Sequence, residues 1–230
     1  TIQGDEKSTV TEYSFNLNQN ILATPKHTIF RDHANVKQAE SFIYYDDNRN
    51  IDDAPQLGLV TKDEGWLRNP IVNRESRINS KSTYNNLGLS LTSTDPLNRI
   101  TRQEYDLDFK AYPISVTNTL GQRVSSTYDT RTGQTLTTTD PNNQTTRNIY
   151  DNLGRLIKVV GPLDTEQNPA VIYEYYLDEF PSKVIKRTKI NHELANPRAH
   201  EPANYITVVS FYDGLGRPIQ TKTRAQNGPP

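Results

Sequence analysis

The sequence contains no cysteine and no methionine. The first absence removes disulfides, thiolate nucleophiles and cysteine-ligated metals together. The second, which includes the lack of an initiator, is what an excised or processed piece of a longer chain would show, and that is the expectation here. Apolar residues are also scarce. They make up 33% of 230 residues, well under the roughly 45–50% of an ordinary globular domain, so little is available for a packed core. No run approaches the roughly 20 apolar residues a membrane helix requires. Thr1 to Asp5 does not resemble a signal peptide, so any secretion signal is expected outside this segment. Excess charge is missing too: 26 basic and 27 acidic side chains leave a net charge of -1, with no basic cluster for nucleic acid. The most basic stretch, Lys183 to Arg187, alternates like a strand.

Scarce apolar residues accompany disorder when net charge is high and aromatics are few. Neither condition holds, because 13 tyrosines are spread along the chain. That combination suits antiparallel strands with one modestly apolar face and one wet face.

What is present is a repeat. Tyr150-Asp151-Asn152-Leu153-Gly154-Arg155 returns as Tyr212-Asp213-Gly214-Leu215-Gly216-Arg217, and with changes at Tyr84 to Gly88. Weaker copies begin at Tyr105 and at Tyr128, the latter reaching Gly133. The steps from Tyr84 to 105, 128 and 150 are 21, 23 and 22 residues. They lengthen to 26 if Tyr176-Leu177-Asp178 is a copy, and then to 36, as loop insertions would cause. A second turn falls halfway through each unit, at Asp95-Pro96, Asn118-Thr119 and Asp140-Pro141. Asp can bond the backbone ahead of it and Gly accepts positive φ, so Asp-x-x-Gly is a tight turn. Between turns the chain alternates, as in Arg155 to Val160, or is rich in Thr, as in Thr135 to Thr139; both fit a pleated surface. Each unit is therefore two turns and two strands.

The first 83 residues read as degenerate copies, and 84–230 as the repeat region, within one continuous array. Strands are expected at Thr9 to Leu17, Ile21 to Phe30 and Ser41 to Tyr45, with a polar turn at Asp46 to Asp53 and a return at Leu57 to Thr61. Asn191 to Ala199 could hold a short helical turn.

At Tyr150 to Arg155 and Tyr212 to Arg217 the chain resembles the RHS/YD-repeat family, including the B and C components of insecticidal toxin complexes of secreted bacterial proteins. Signature matches span about residues 84–220. The resemblance implies an all-β fold of tandem hairpins in a curved antiparallel sheet, part of a β-shell that encloses a toxin or effector cargo. It implies a secreted or cell-surface location. The implied partners are flanking repeats of the same polypeptide and a toxin cargo or toxin-complex subunit. Other family members bind carbohydrate. The family's autoproteolytic Asp-Pro-x-Gly core has no match, so no catalytic residue is carried over.

Candidate sites are few. His27, His33, His192 and His200 belong to no catalytic motif, and the chain is expected not to be an enzyme and to need no cofactor. Asp46, Asn48, Asn50 and Asp52 place oxygens at alternate positions like the opening of a calcium loop. Ile51 stands where that loop needs Gly, and Leu57 where it needs Glu, so a polar hairpin tip is the simpler reading. Tyr44, Tyr45, Tyr173, Tyr175 and Tyr176 could present rings to a glycan, although tyrosine at a fixed repeat position more simply packs. Trp66, the single tryptophan, follows Asp63-Glu64-Gly65 in an expected loop. Asn143-Gln144-Thr145 is a formal glycosylation sequon.

Overall fold

The computed structural model describes residues 6–69, 74–190 and 205–223. Asn191 to Ala199, His192 and His200 lie outside them. The regular elements of the described chain are almost all strands: β1 (Ser8–Asn16), β2 (Ile21–Arg31), β3 (Lys37–Tyr45), β4 (Val60–Asn69), β5 (Arg74–Tyr84), β6 (Ser90–Thr94), β7 (Ile100–Tyr105), β8 (Pro113–Thr117), β9 (Arg123–Asp129), β10 (Gln134–Thr139), β11 (Thr145–Tyr150), β12 (Leu156–Val160), β13 (Val171–Tyr176), β14 (Ser182–Lys189), β15 (Tyr205–Tyr212) and β16 (Pro218–Thr223). One 3₁₀ turn, Leu17–Gln19, is the exception. The strands hydrogen-bond in chain order as one antiparallel sheet with no crossover. By contact the chain divides into two units, Thr1–Tyr105 with Val116–Gln122, and Asp106–Ser115 with Arg123–Pro230.

A single turn design recurs at seven of the connections between described strands. At Asp151 the backbone N–H of Gly154 donates to the Asp151 carbonyl and the Asp151 N–H donates to the Arg155 carbonyl. The Asp151 carboxylate accepts from the N–H groups of Leu153 and Arg155, and Arg155 Nε donates to its other oxygen at 2.6 Å. The same backbone pattern recurs at Asp32, Asn85, Asp95, Asn118, Asp140 and Asp213. In these turns the fourth residue always has positive φ and is always Gly or Asn, as in Gly154 (78°) and Asn98 (59°). These are the residue types that enter the left-handed region at least cost. In the unit led by Tyr84 the two turns, at Asn85 and Asp95, are thus the same, whereas the loops after Tyr105 and Tyr128 close differently, through the Asp106 N–H to the Tyr112 carbonyl and the Gly133 N–H to the Asp129 carbonyl.

What separates them is the register beside them. After Tyr84–Ser90 the next pair is Thr83–Thr92, so Leu91 faces no partner. Leu136, Ile157 and Ile219 are bulged in the same way beside Tyr128, Tyr150 and Tyr212. The strands flanking Asp95 and Asp140 pair without a shift. A bulge adds local twist to its strand, so within each unit the tyrosine-led ends are twisted more than the opposite ends.

The scarcity of apolar residues shows directly. Among the described residues the buried hydrophobics are Tyr45, Val160 and Tyr205. Cohesion comes instead from the ladder and from cross-strand pairs. The Thr-rich strands supply hydroxyl pairs, Thr83 with Thr92 and Thr127 with Thr137, each at 2.7 Å. Such pairs contribute roughly 0.2–1 kcal/mol each.

Trp66 departs from expectation. It lies inside β4, opposite Arg77, and Gly65 pairs with Ser41 and Ile78. The polar run Lys62 to Glu64 can be strand because its charges find partners on the sheet surface: Glu64 takes Lys62 at 3.0 Å and Arg77 at 3.3 Å. Leu57, Gly58 and Leu59 lie outside any strand, and β4 starts only at Val60.

Candidate functional site

Six tyrosines do one geometric thing, and of the repeat tyrosines Tyr212 is not among them. In the first unit Tyr105 donates its hydroxyl to the Ser90 carbonyl at 3.0 Å, Tyr84 to Val60 at 2.7 Å, and Tyr45 to Pro25 at 2.8 Å. In the second, Tyr128 donates to Pro113 at 3.0 Å, Tyr150 to Thr135 at 2.9 Å, and Tyr175 to Leu156 at 2.9 Å. The acceptors are not arbitrary. Ser90 is the cross-strand partner of Tyr84, Val60 of Tyr45, and Pro25 of Tyr13. Thr135 is the partner of Tyr128 and Leu156 of Tyr150. Tyr45, Tyr84, Tyr105, Tyr150 and Tyr175 therefore each span the hairpin before them and tie down the strand that leaves the preceding tyrosine's turn. Burial pushes the Tyr45 and Tyr175 phenols upward, which keeps the donors protonated well above neutral pH.

The turn carboxylates are held in the opposite sense. The Arg155 amide, then the Arg155 guanidinium and the Leu153 amide, keep Asp151 below the usual carboxylate range against an opposing desolvation penalty. Asp95 and Asp213 are lowered by the equivalent amide and guanidinium of Arg99 and Arg217. A Cβ at Gly154 would lie 2.9 Å from Gln134 Nε2, the flexible end of a side chain that donates to the Gly154 carbonyl, so the positive φ rather than this contact sets the demand for glycine. Gly133 packs on the Tyr112 ring, which stacks on Tyr128 at 5.2 Å. The Tyr-Asp-x-x-Gly-Arg unit is a fastening made of a clamp and a rung.

The calcium candidates are occupied by the protein's own donors. The two Asp46 oxygens accept the amides of Gln56, Leu57, Gly58 and Leu59. Asn50 accepts the Asp52 amide, Asp52 takes Lys26, and Asn48 donates to the Asp53 carbonyl. Among the described residues no group of three or more His or acidic side chains has metal-binding proximity.

The candidate glycan tyrosines are engaged as well. Lys62 lies 3.7 Å from the centre of the Tyr44 ring, Arg155 covers Tyr175 at 4.7 Å, and Lys183 covers Tyr176 at 4.7 Å. Lys186 faces the ring of Tyr173, and Tyr45 is buried. Tyr175, not Tyr176, makes the rung; Tyr176 donates to Glu174 instead. Trp66 carries Lys37 at 4.6 Å, and its Nε1 is buried without a partner. His27 stacks on Phe42 at 4.4 Å and bonds Glu40. Burial opposes ionisation of Glu40, but Lys37 and His27 outweigh it and hold its carboxyl low. Asn143 is the positive-φ residue of its turn.

Two features had no signal in the sequence. In the second unit Lys189 pairs with Asp164 at 2.7 Å, with both side chains 1% exposed. Tyr205 beside them donates to the Pro169 carbonyl, and its phenol is pushed up by burial and by Asp164. The partners sit 25 residues apart in loop and strand, a separation no motif marks. The second is a polar cleft of about 720 Å³, also in the second unit, lined by residues including Thr127, Asp129, Arg131, Thr137, Arg147 and Asn152. Much of that lining is already paired, Asp129 with Arg131 and Arg147 with Glu166.

No family model and no curated protein matches the chain. Among solved structures it is similar to TcdB2-TccC3-Cdc42, at 14% identity and a TM-score of 0.39. It is likewise similar to TcdB2-TccC3 without its hypervariable C-terminal region, at 14% identity and a TM-score of 0.40. A third is a Tc holotoxin pore of Photorhabdus luminescens, at 14% identity and a TM-score of 0.37. Each likeness covers 96% of this chain and 14% of the other, so the chain spans about a seventh of the length of the proteins it matches.

Proposed function

We propose that the chain is a non-enzymatic wall segment of a secreted or cell-surface protein of the RHS/YD-repeat type, building a β-shell that encloses or presents a toxin or effector cargo. The observation that carries this reading is the tyrosine rung. At six tyrosines it joins a strand to a backbone carbonyl of the strand before, so a sheet can extend repeat by repeat with almost no buried apolar layer. A wall around a wet interior needs that property, because both of its faces meet water. The implied partners are flanking repeats and the cargo or toxin-complex subunit they surround.

Limited proteolysis of the longer parent protein tests the proposal. The expected result is a C-terminal fragment that survives while the repeats are intact and is digested once they are unfolded. Digestion of that fragment in the intact parent as fast as the free peptide would overturn it. A second reading, a glycan-binding or adhesion module, draws on the polar cleft beside Arg147. Glycan-array binding that disappears in Arg147→Ala would favour it, and a blank array would count against it.

A further inference from the structure

The second unit seals one amine against one carboxyl group. Lys189 is the last residue of β14, and Asp164 lies in the connection from β12 to β13. They meet at 2.7 Å with both side chains 1% exposed. The neighbours keep water out. Pro169 is fully buried, and Tyr205, the cross-strand partner of Lys189, is buried with it. Tyr205 commits its hydroxyl to the Pro169 carbonyl at 2.9 Å and to Asn168 Oδ1 at 3.1 Å. The Lys189 amide donates to the Ala170 carbonyl at 2.8 Å, which holds the end of β14 against the connection.

Asp164 is held just as firmly. Its amide donates to the Gly161 carbonyl at 3.0 Å, and its Oδ2 accepts the Gly161 amide at 3.1 Å. The two carboxyl oxygens therefore have different surroundings: Oδ2 faces a backbone N–H and Oδ1 faces the lysine Nζ. A buried ion pair carries a desolvation cost that its attraction repays only in part. Passing one proton from the ammonium to Oδ1 across 2.7 Å removes both charges and leaves an amine beside a carboxylic acid. Those are the reactants of an amide. Held at contact, they are spared the entropy cost of a bimolecular encounter.

We propose that Lys189 and Asp164 condense into an intramolecular isopeptide bond once the second unit has folded. The Nζ lone pair forms a bond to Asp164 Cγ, and the carbonyl electrons move onto Oδ2, where the Gly161 N–H stabilises the charge. A proton from the nitrogen then passes to Oδ1, the Cγ–Oδ1 bond breaks, and Oδ1 leaves as water. Of the ammonium's three protons, two end on that water and one stays on the amide nitrogen. Nothing is oxidised or reduced, and no co-reactant is needed. The bond fastens the β12–β13 connection to β14 and encloses β13 in a covalent loop, a lock that requires no apolar core.

Intact mass spectrometry of the full chain, with folding verified on the same sample by circular dichroism, tests this. The folded chain is expected to be lighter than its sequence by one water. Trypsin should then release a branched peptide that joins Val159 to Lys183 with the stretch beginning at Thr188, uncut after Lys189. Lys189→Arg keeps a cation beside Asp164 but has no amine to condense, and is expected at its full sequence mass. The branched peptide is read in the parent chain itself, so the test stands even where Lys189→Arg fails to fold. A folded parent chain at full sequence mass would overturn the proposal and leave an ion pair only. So would a lost water that persists in Lys189→Arg, or one that maps to Asp213-Gly214, where an aspartate can close an imide with the next backbone nitrogen.

Discussion

At the residue scale the chain repeatedly asks whether a position can turn the backbone left-handed. Gly121 has φ of 77° and open space for 4 Å around the point where a Cβ would sit, whereas Asn98 and Asn143 hold the equivalent place in sister turns. Gly121→Asn should therefore be nearly neutral, and Gly121→Val should cost about 1–2 kcal/mol from left-handed strain alone. Urea midpoints of the two variants separate these outcomes; equal midpoints would mean the turn does not demand positive φ. The Lys189–Asp164 pair is a different case, because both side chains are sealed from water. Lys189→Met leaves a buried carboxylate facing an apolar group, and a loss of about 3–5 kcal/mol is expected. Arg217→Met, at a pair 72% exposed on the arginine side, should cost far less. Thermal unfolding of both variants makes the comparison.

At the element scale, the strands and turns are legible in the sequence because their signals are local. Asp or Asn followed three residues later by Gly or Asn specifies a turn whatever surrounds it, and Thr-rich alternation specifies the strand beside it. β1, β2 and β3 match the strands expected from residues 9–17, 21–30 and 41–45 to within a few residues. Trp66 defies its local signal for the converse reason. Asp63-Glu64-Gly65 reads as a loop by itself, but Lys62 and cross-strand Arg77 make the charge of Glu64 tolerable in β4. The rung acceptors are illegible because they depend on register, which no single strand reveals; Tyr175 and Tyr176 cannot be told apart without it. Lys189 and Asp164 leave no trace because a buried pair assembled from loop and strand has no spacing of its own.

At the scale of the whole molecule, stability is distributed over many small fastenings, and pH should act on the turn carboxylates of Asp95, Asp151 and Asp213 together. Asp95, Asp151 and Asp213 are held below the ordinary aspartate value of about 3.9 in the folded chain. Their contribution is complete above that value and is lost as pH falls through the lower folded values. The chain should therefore be insensitive to pH between about 5 and 8 and lose its strand signal progressively below about pH 4. Far-ultraviolet circular dichroism across an acid titration checks this, and an unchanged spectrum and urea midpoint at pH 2 would contradict it. The Asn85 and Asn118 turns use the same amide bonds without a titratable group. Asn replacements at the three aspartates should flatten the titration.

That the repeat tyrosines are structural rungs is tested most directly by urea unfolding of single Tyr→Phe variants. Tyr105→Phe and Tyr128→Phe each delete a hydroxyl that ties a carbonyl of an earlier strand, the Tyr105 hydroxyl also reaching Gln103 Oε1 at 3.1 Å. Tyr176→Phe deletes one that bonds a neighbouring carboxylate on an exposed surface. The expected result is a loss of about 0.5–1.5 kcal/mol for each rung variant and little change for Tyr176→Phe. Rung variants as stable as the parent chain, or no weaker than Tyr176→Phe, would contradict it.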